Sequence, residues 1–197
     1  IYLSVILFLI TSPGLKGQQI EGEENRGDLR IMFYNVENYF DTLDNAITQD
    51  EEYTPDSEKK WNGYKYYTKS NHIFKTIAAV GGMRPPEIVG FAEIENDTVL
   101  RKLVYATGLS KYSFGIVHYD SPDRRGIDVG LIYRKDRIEL VSSAKYSIYF
   151  PDKPFKMTRD ILYGKFLSEG RDTLHILVNH WPSRWGGKKK SDPDRMY

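Results

Sequence analysis

Four apolar stretches of this chain each run into a polar residue able to do chemistry. Asn35 follows IMFY at 31–34, and Glu93 follows EIVGFA at 87–92. Asp128 precedes VGLIYR at 129–134, and Asn179-His180 follows LHILV at 174–178. In α/β sheets, ligand and catalytic groups gather at strand ends, where a rigid scaffold holds side chains beside loops. An amide oxygen and a carboxylate are hard ligands suited to Mg²⁺, Mn²⁺ or Ca²⁺. A histidine titrating near neutrality serves as general acid or base. A carboxylate at the end of a buried strand is costly without a metal or a cation, so Glu93 weighs more than Asn35, whose residue type is common in turns. Asp128 has two readings, a site carboxylate or an ion pair with Arg124 or Arg125. His180 is either a satisfied core histidine or a site group, and the WPSRWGG that follows it reads as a rim loop.

Other chemistries lack their residues. His72, His118 and His175 have no comparable context, and no zinc spacing links any histidine pair. There is no G-x-S-x-G, no P-loop and no G-x-G-x-x-G, which argues against an acyl hydrolase, an NTPase and a dinucleotide enzyme. The absence of cysteine excludes a disulfide scaffold, a thiolate metal site and a thiol nucleophile.

The elements that must hold these residues follow from periodicity. The 197 residues are 40% apolar and 28% charged with a net charge of +1, a composition that excludes intrinsic disorder and leaves any nucleic-acid argument to local patches. IYLSVILFLI at 1–10 is too short to span a bilayer; it reads as the h-region of a signal peptide over 1–17 rather than as a buried strand. Residues 18–29 read as a linker and 30–197 as one domain. The expected location is therefore secreted or periplasmic, with no stable membrane association after cleavage.

A first strand is expected over 30–34, then seven acids and no base over 41–58, a solvated acidic loop. Helical period marks 66–80, stopped by Gly81-Gly82, and a buried strand runs over 87–92. Asn96-Asp97 caps a helix through Ala106. Strands are expected over 112–118, 129–133, 138–148, 155–166 and 174–178. Single helices alternate with strands early and strands dominate later, which predicts an α/β fold with a mixed sheet and antiparallel hairpins.

Four motifs in this order, IMFYNVEN at 31–38, EIVGFAEIEN at 87–96, RGIDVGLIYR at 125–134 and VNHWPSR at 178–184, resemble the endonuclease/exonuclease/phosphatase superfamily over roughly 30–190. The resemblance implies a four-layer α/β sandwich of two packed mixed β-sheets with a divalent metal at one edge. It implies that Glu93 ligates the metal with Asn35 beside it, and that His180 contacts the scissile phosphate and assists proton transfer. Asp128 approximates the position that orients that histidine, and Arg159 resembles the family's phosphate-contacting arginine. Arg125, Asn179, Arg184 and Trp185 lie in or beside the same motifs and are expected to contact substrate. The family's Gly-Asp-x-Asn and Asp-His motifs have no match here. The chain is therefore expected to be the N-terminal part of a longer enzyme, weakly active or inactive by itself, with exposed apolar surface where a second half would pack.

The chemistry so implied is metal-assisted in-line attack of water on a phosphodiester, with Mg²⁺ (or Mn²⁺ or Ca²⁺) as cofactor. Nucleic acid is the expected substrate, since 184–195 holds five bases against two acids with Trp181 and Trp185 beside them. A monomer with no obligate protein partner is expected. Two other readings remain open: a phosphatase or phosphodiesterase on lipid or inositol phosphates, and a non-catalytic binding domain. A long apolar hairpin near the site would favour lipid, and the sequence pattern shows none.

Overall fold

The computed structural model describes residues 29–82, 84–182, 187 and 192. The expected signal peptide (1–17) and all but Leu29 of the expected linker (18–29), together with Arg184, Trp185 and most of the basic run, lie outside the described residues. The described elements are β1 (Ile31–Tyr39), α1 (Gly63–Gly81), β2 (Ile88–Ile94), α2 (Asp97–Tyr105), β3 (Phe114–His118), β4 (Asp128–Arg134), β5 (Ile138–Tyr146), β6 (Ile161–Ser168) and β7 (Thr173–Val178). None of the described helices is long and apolar enough to cross a membrane.

Two sheets form. One has the order β1-β2-β4-β3, with β1 parallel to β2 and the other pairs antiparallel; the second, β5-β6-β7, is antiparallel among the described strands. Period-2 alternation sorts the side chains. Val89 and Phe91 of β2 face the helices and pack with Ile73 and Ile77 of α1 and Leu100 and Leu103 of α2. Ile88 and Ala92 face the other way and pack with Leu131 of β4, Phe166 of β6 and Val178 of β7. Strand β2 is buried on both faces, which is why it reads as one apolar run. The layers among the described residues are thus helices, mixed sheet and antiparallel sheet. On the outer face of the second sheet Tyr146 and Leu177 are exposed.

Caps fall where the sequence puts them. Asn96 accepts from the Val99 amide at 3.0 Å and starts α2, while Gly82 ends α1 at φ 65°. Four expectations need correction. Strand β1 continues past Asn35 to Tyr39 because Glu37 and Asn38 take left-handed dihedrals and bend it onward. The stretch 155–166 is strand only from Ile161; residues 147–160 form an irregular connection with turns at 151–152 and 154–155, where Pro151 and Pro154 sit. The helix α1 starts three residues early, with Asn62 accepting from Lys65 N as its cap. The acidic loop is not fully solvated: Asp41 and Asp50 are buried, and Phe40 stacks on Tyr53 at 4.1 Å between ring centroids.

Gly130, central in β4, leaves room for the ends of Ile94 and Leu100; an added Cβ would lie 2.7 Å from Leu100 Cδ1. Gly130→Ala is therefore expected to destabilise the chain by about 1–3 kcal/mol through overpacking, measured by urea unfolding. An unchanged midpoint would show that β2 and α2 yield freely.

Candidate active site

The parallel register of β1 on β2 sets Asn35 opposite Ala92, one residue before Glu93. Beyond that pair both strands leave regular geometry. Glu37, Asn38 and Glu93 all adopt left-handed dihedrals, with φ of 54°, 61° and 63°. Three non-glycine residues in that region within one pair of strand ends hold backbone strain of the kind that collects at functional sites.

The strain converges on the Glu93 carboxylate. Its Oε1 accepts from Asn35 Nδ2 at 3.0 Å and lies 3.3 Å from His180 Nε2; its Oε2 accepts from the Asn38 amide at 3.1 Å. Contact with His180, supported by the Asn35 and Asn38 bonds, outweighs burial and holds the Glu93 carboxyl down at about 2. It is ionised at neutral pH. Asn35 Oδ1 accepts from the Glu37 amide at 2.9 Å, so its amide nitrogen and not its oxygen faces Glu93. Asn35 thus orients the carboxylate instead of offering an oxygen beside it.

The donor set fits a hard divalent cation. A carboxylate has about four lone-pair positions, and Glu93 uses three of them, leaving one on Oε2. Mg²⁺ commonly binds through one or two carboxylates plus waters and substrate phosphate. Glu93 and His180 are partly open to solvent, as such a site requires. A second cluster brings ligand atoms of His118, Asp120 and Asp128 within 4.8 Å of one another and could also hold a cation.

Asp128 needs correction. Its Oδ2 lies 3.1 Å from His118 Nε2, and its Oδ1 accepts from the Ser121 amide at 3.0 Å and from the Ser121 hydroxyl. It neither orients His180 nor pairs with Arg124 or Arg125. Instead it clamps the base of the 119–127 loop, because antiparallel β3 and β4 bring His118 and Asp128 to the same edge. His118 was missed because its context is this hairpin geometry and not a motif, although its place at a strand end ten residues before Asp128 was a usable signal.

Arg159 needs correction too. Its Nε and Nη2 donate to the His180 carbonyl at 3.2 and 2.8 Å, and Nη1 donates to Asp123 Oδ2 at 3.0 Å. It is buried, and its guanidinium is bonded to Asp123 and to the His180 main chain. Arg125 is exposed and pairs with Asp123, while Asn179 sits half-buried beside His180. The structure therefore brings Asn35, Glu93 and His180 into direct contact. Arg159 joins them through the His180 main chain, and Asp128 does not join.

A family model described as Endonuclease/Exonuclease/phosphatase family matches residues 30–197. No curated protein matches the chain. Among solved structures, the human Nocturnin catalytic domain with bound sulfate anion is 16% identical, with a TM-score of 0.52 over 80% of this chain and 52% of that one. TDP2 of D. rerio, humanized by 14 mutations, is also 16% identical, with a TM-score of 0.50 over 80% of this chain and 49% of that one. ANGEL2, a 2',3'-cyclic phosphatase, is 12% identical, with a TM-score of 0.52 over 78% of this chain and 41% of that one. The likeness at these identities is one of fold, and the chain spans about half the length of the solved structures it matches.

Proposed function

Because this chain belongs to the endonuclease/exonuclease/phosphatase family, we propose that it is a divalent-metal-dependent phosphodiester hydrolase, acting outside the cytoplasm on DNA or RNA. The observation that carries this reading is the ionised Glu93 carboxylate, held by Asn35, the Asn38 amide and His180 at an open sheet edge.

A phosphodiester anion repels nucleophiles, so its hydrolysis needs charge neutralisation, an oriented water and a proton for the leaving oxygen. A bound Mg²⁺ or Mn²⁺ would supply Lewis-acid neutralisation of the phosphate charge. The rest falls to the chain. Glu93 is the carboxylate that would hold the cation, with Asn35 and the Asn38 amide fixing its orientation. His180, whose Nε2 lies 3.3 Å from Glu93 Oε1, would donate a hydrogen bond to a phosphate oxygen or deliver a proton there. The exposed Arg125 guanidinium would bond a phosphate oxygen. Water oxygen bonds to phosphorus and gives up a proton to a phosphate oxygen or to solvent, the phosphorus–oxygen ester bond breaks, and the leaving oxygen takes up one proton to become a hydroxyl.

One observation favours the lipid or inositol-phosphate alternative. The connection between β5 and β6 exposes Tyr149, Met157 and Phe155, the last 85% exposed, and ends with Arg159 bonded to the His180 carbonyl. The sequence pattern hid this surface because prolines interrupt it.

The test is initial-rate hydrolysis of bis(p-nitrophenyl) phosphate, supercoiled DNA, RNA and phospholipid vesicles with Mg²⁺ or Mn²⁺ and with EDTA. Weak, cation-dependent cleavage of the generic diester and of nucleic acid is expected, and EDTA is expected to abolish both. Turnover confined to vesicles would favour the lipid reading. No turnover of any substrate, with no cation binding by calorimetry, would leave only a binding domain.

A further inference from the structure

His180 follows the last described strand, so the ladder of β7 does not hold it in place. Its carbonyl instead accepts two hydrogen bonds from one guanidinium, Arg159 Nη2 at 2.8 Å and Nε at 3.2 Å. The other face of that guanidinium donates to Asp123 Oδ2 at 3.0 Å. Arg159 is 6% exposed and Asp123 is buried as well. Burial strengthens such charge-assisted bonds and makes a missing partner costly.

Asp123 holds a second guanidinium on its outer side. Its Oδ1 accepts from the Arg125 main-chain amide at 3.0 Å and from Arg125 Nε at 3.3 Å, and its Oδ2 from Arg125 Nη2 at 3.4 Å. The Arg125 side chain is 55% exposed. Gly126, at φ 67°, turns the chain back so that its amide donates to the Asp123 carbonyl. His118 and Ser121 then close the loop on Asp128. One buried carboxylate thus joins an inward arginine on the His180 main chain to an outward arginine at the surface.

We infer that Asp123 and Arg159 are the positioning residues of His180, and that Arg125, not Arg159, is the arginine offered to the substrate phosphate. The inference rests on reading His180 as a group that touches the phosphate. It assigns the buried arginine to geometry, since a misplacement of about 1 Å at a reacting group costs on the order of a hundredfold in rate.

The test compares the full-length chain with Asp123→Asn, Arg159→Lys and Arg125→Gln, using bis(p-nitrophenyl) phosphate with Mn²⁺ and hydrogen exchange of the 178–182 segment. Asp123→Asn keeps the size of the side chain but removes its charge. Arg159→Lys keeps a charge but cannot reach both acceptors. Both are expected to lower kcat about 10- to 100-fold with KM changed less than about threefold, and to speed exchange at 178–182. Arg125→Gln is expected to raise KM more than it lowers kcat, without speeding exchange at 178–182. Wild-type kcat and exchange in Asp123→Asn or Arg159→Lys would overturn the inference. So would a rise in KM alone in Arg159→Lys, which would return that residue to the phosphate. Should the wild type hydrolyse nothing, the phosphoesterase reading fails, and the exchange comparison still decides whether Asp123 and Arg159 hold the His180 segment.

Discussion

Glu93→Gln is expected to remove the divalent cation and to lower phosphodiester hydrolysis by about a thousandfold, roughly 4 kcal/mol of transition-state stabilisation. The substitution keeps the side-chain shape but changes what three neighbours meet. Asn35 Nδ2, the Asn38 amide and His180 Nε2 all approach the carboxylate as donors or as a cationic partner. A glutamine offers one acceptor oxygen and sets an NH₂ against the remaining donors, so the cation loses its ligand and Asn38 loses its anchor. Calorimetric titration with Mn²⁺ and initial rates read the two losses separately, with circular dichroism to check folding. Full cation affinity in the variant would move the metal elsewhere, and the His118, Asp120 and Asp128 cluster is the alternative among the described residues. Asp128→Asn would then abolish binding where Glu93→Gln does not.

Some of this site was legible because single positions carried it. Glu93 ends an apolar run that only a strand buried on both faces produces, and a carboxylate there demands a partner. Asn35 and His180 stood out in the same way, Asn35 at the end of the apolar run of β1 and His180 just past β7. Pairwise matters were not legible. Whether Asp128 turns to His180 or to His118 depends on which strands become neighbours, and the β3–β4 pairing decides it. Arg159 falls next to Asp160 at the entry to β6, and sequence says nothing of whether its guanidinium points outward to a phosphate or inward to a carbonyl. The left-handed backbone at Glu37, Asn38 and Glu93 was equally hidden, because none of the three is the glycine that usually marks such a turn. The fold was read more fully than the site because helix and strand periods are local, whereas the β5–β6 connection, with its prolines, has no period to read.

Stability is expected to fall as pH rises from about 4.5 to about 7, and Glu95 is the principal reason. Its residue is 7% exposed, its Oε2 accepts from the Asp41 amide at 2.6 Å, and the carboxylates of Asp41 and Asp50 face it. Burial first, then repulsion from Asp41 and Asp50, pushes its carboxyl up from 4.5 to about 7. The folded chain therefore holds a proton over an interval in which the unfolded chain has released it. The folded state binding more protons means that stability is highest below the unfolded value and declines until the folded carboxyl ionises, then levels off. An elevation from 4.5 to about 7 corresponds to roughly 3 kcal/mol across that interval. Asp50, also raised by burial, adds a slope of the same sign. Glu95→Gln keeps an acceptor for the Asp41 amide and cannot ionise, so it is expected to flatten most of the decline. Urea unfolding of both forms at about pH 5 and about pH 8 tests this: the variant should gain roughly 3 kcal/mol over the wild type on going to the higher pH. Parallel pH dependence in the two forms would mean that Glu95 ionises as it does in the unfolded chain, and that the acidic pocket beneath the candidate site is open to water.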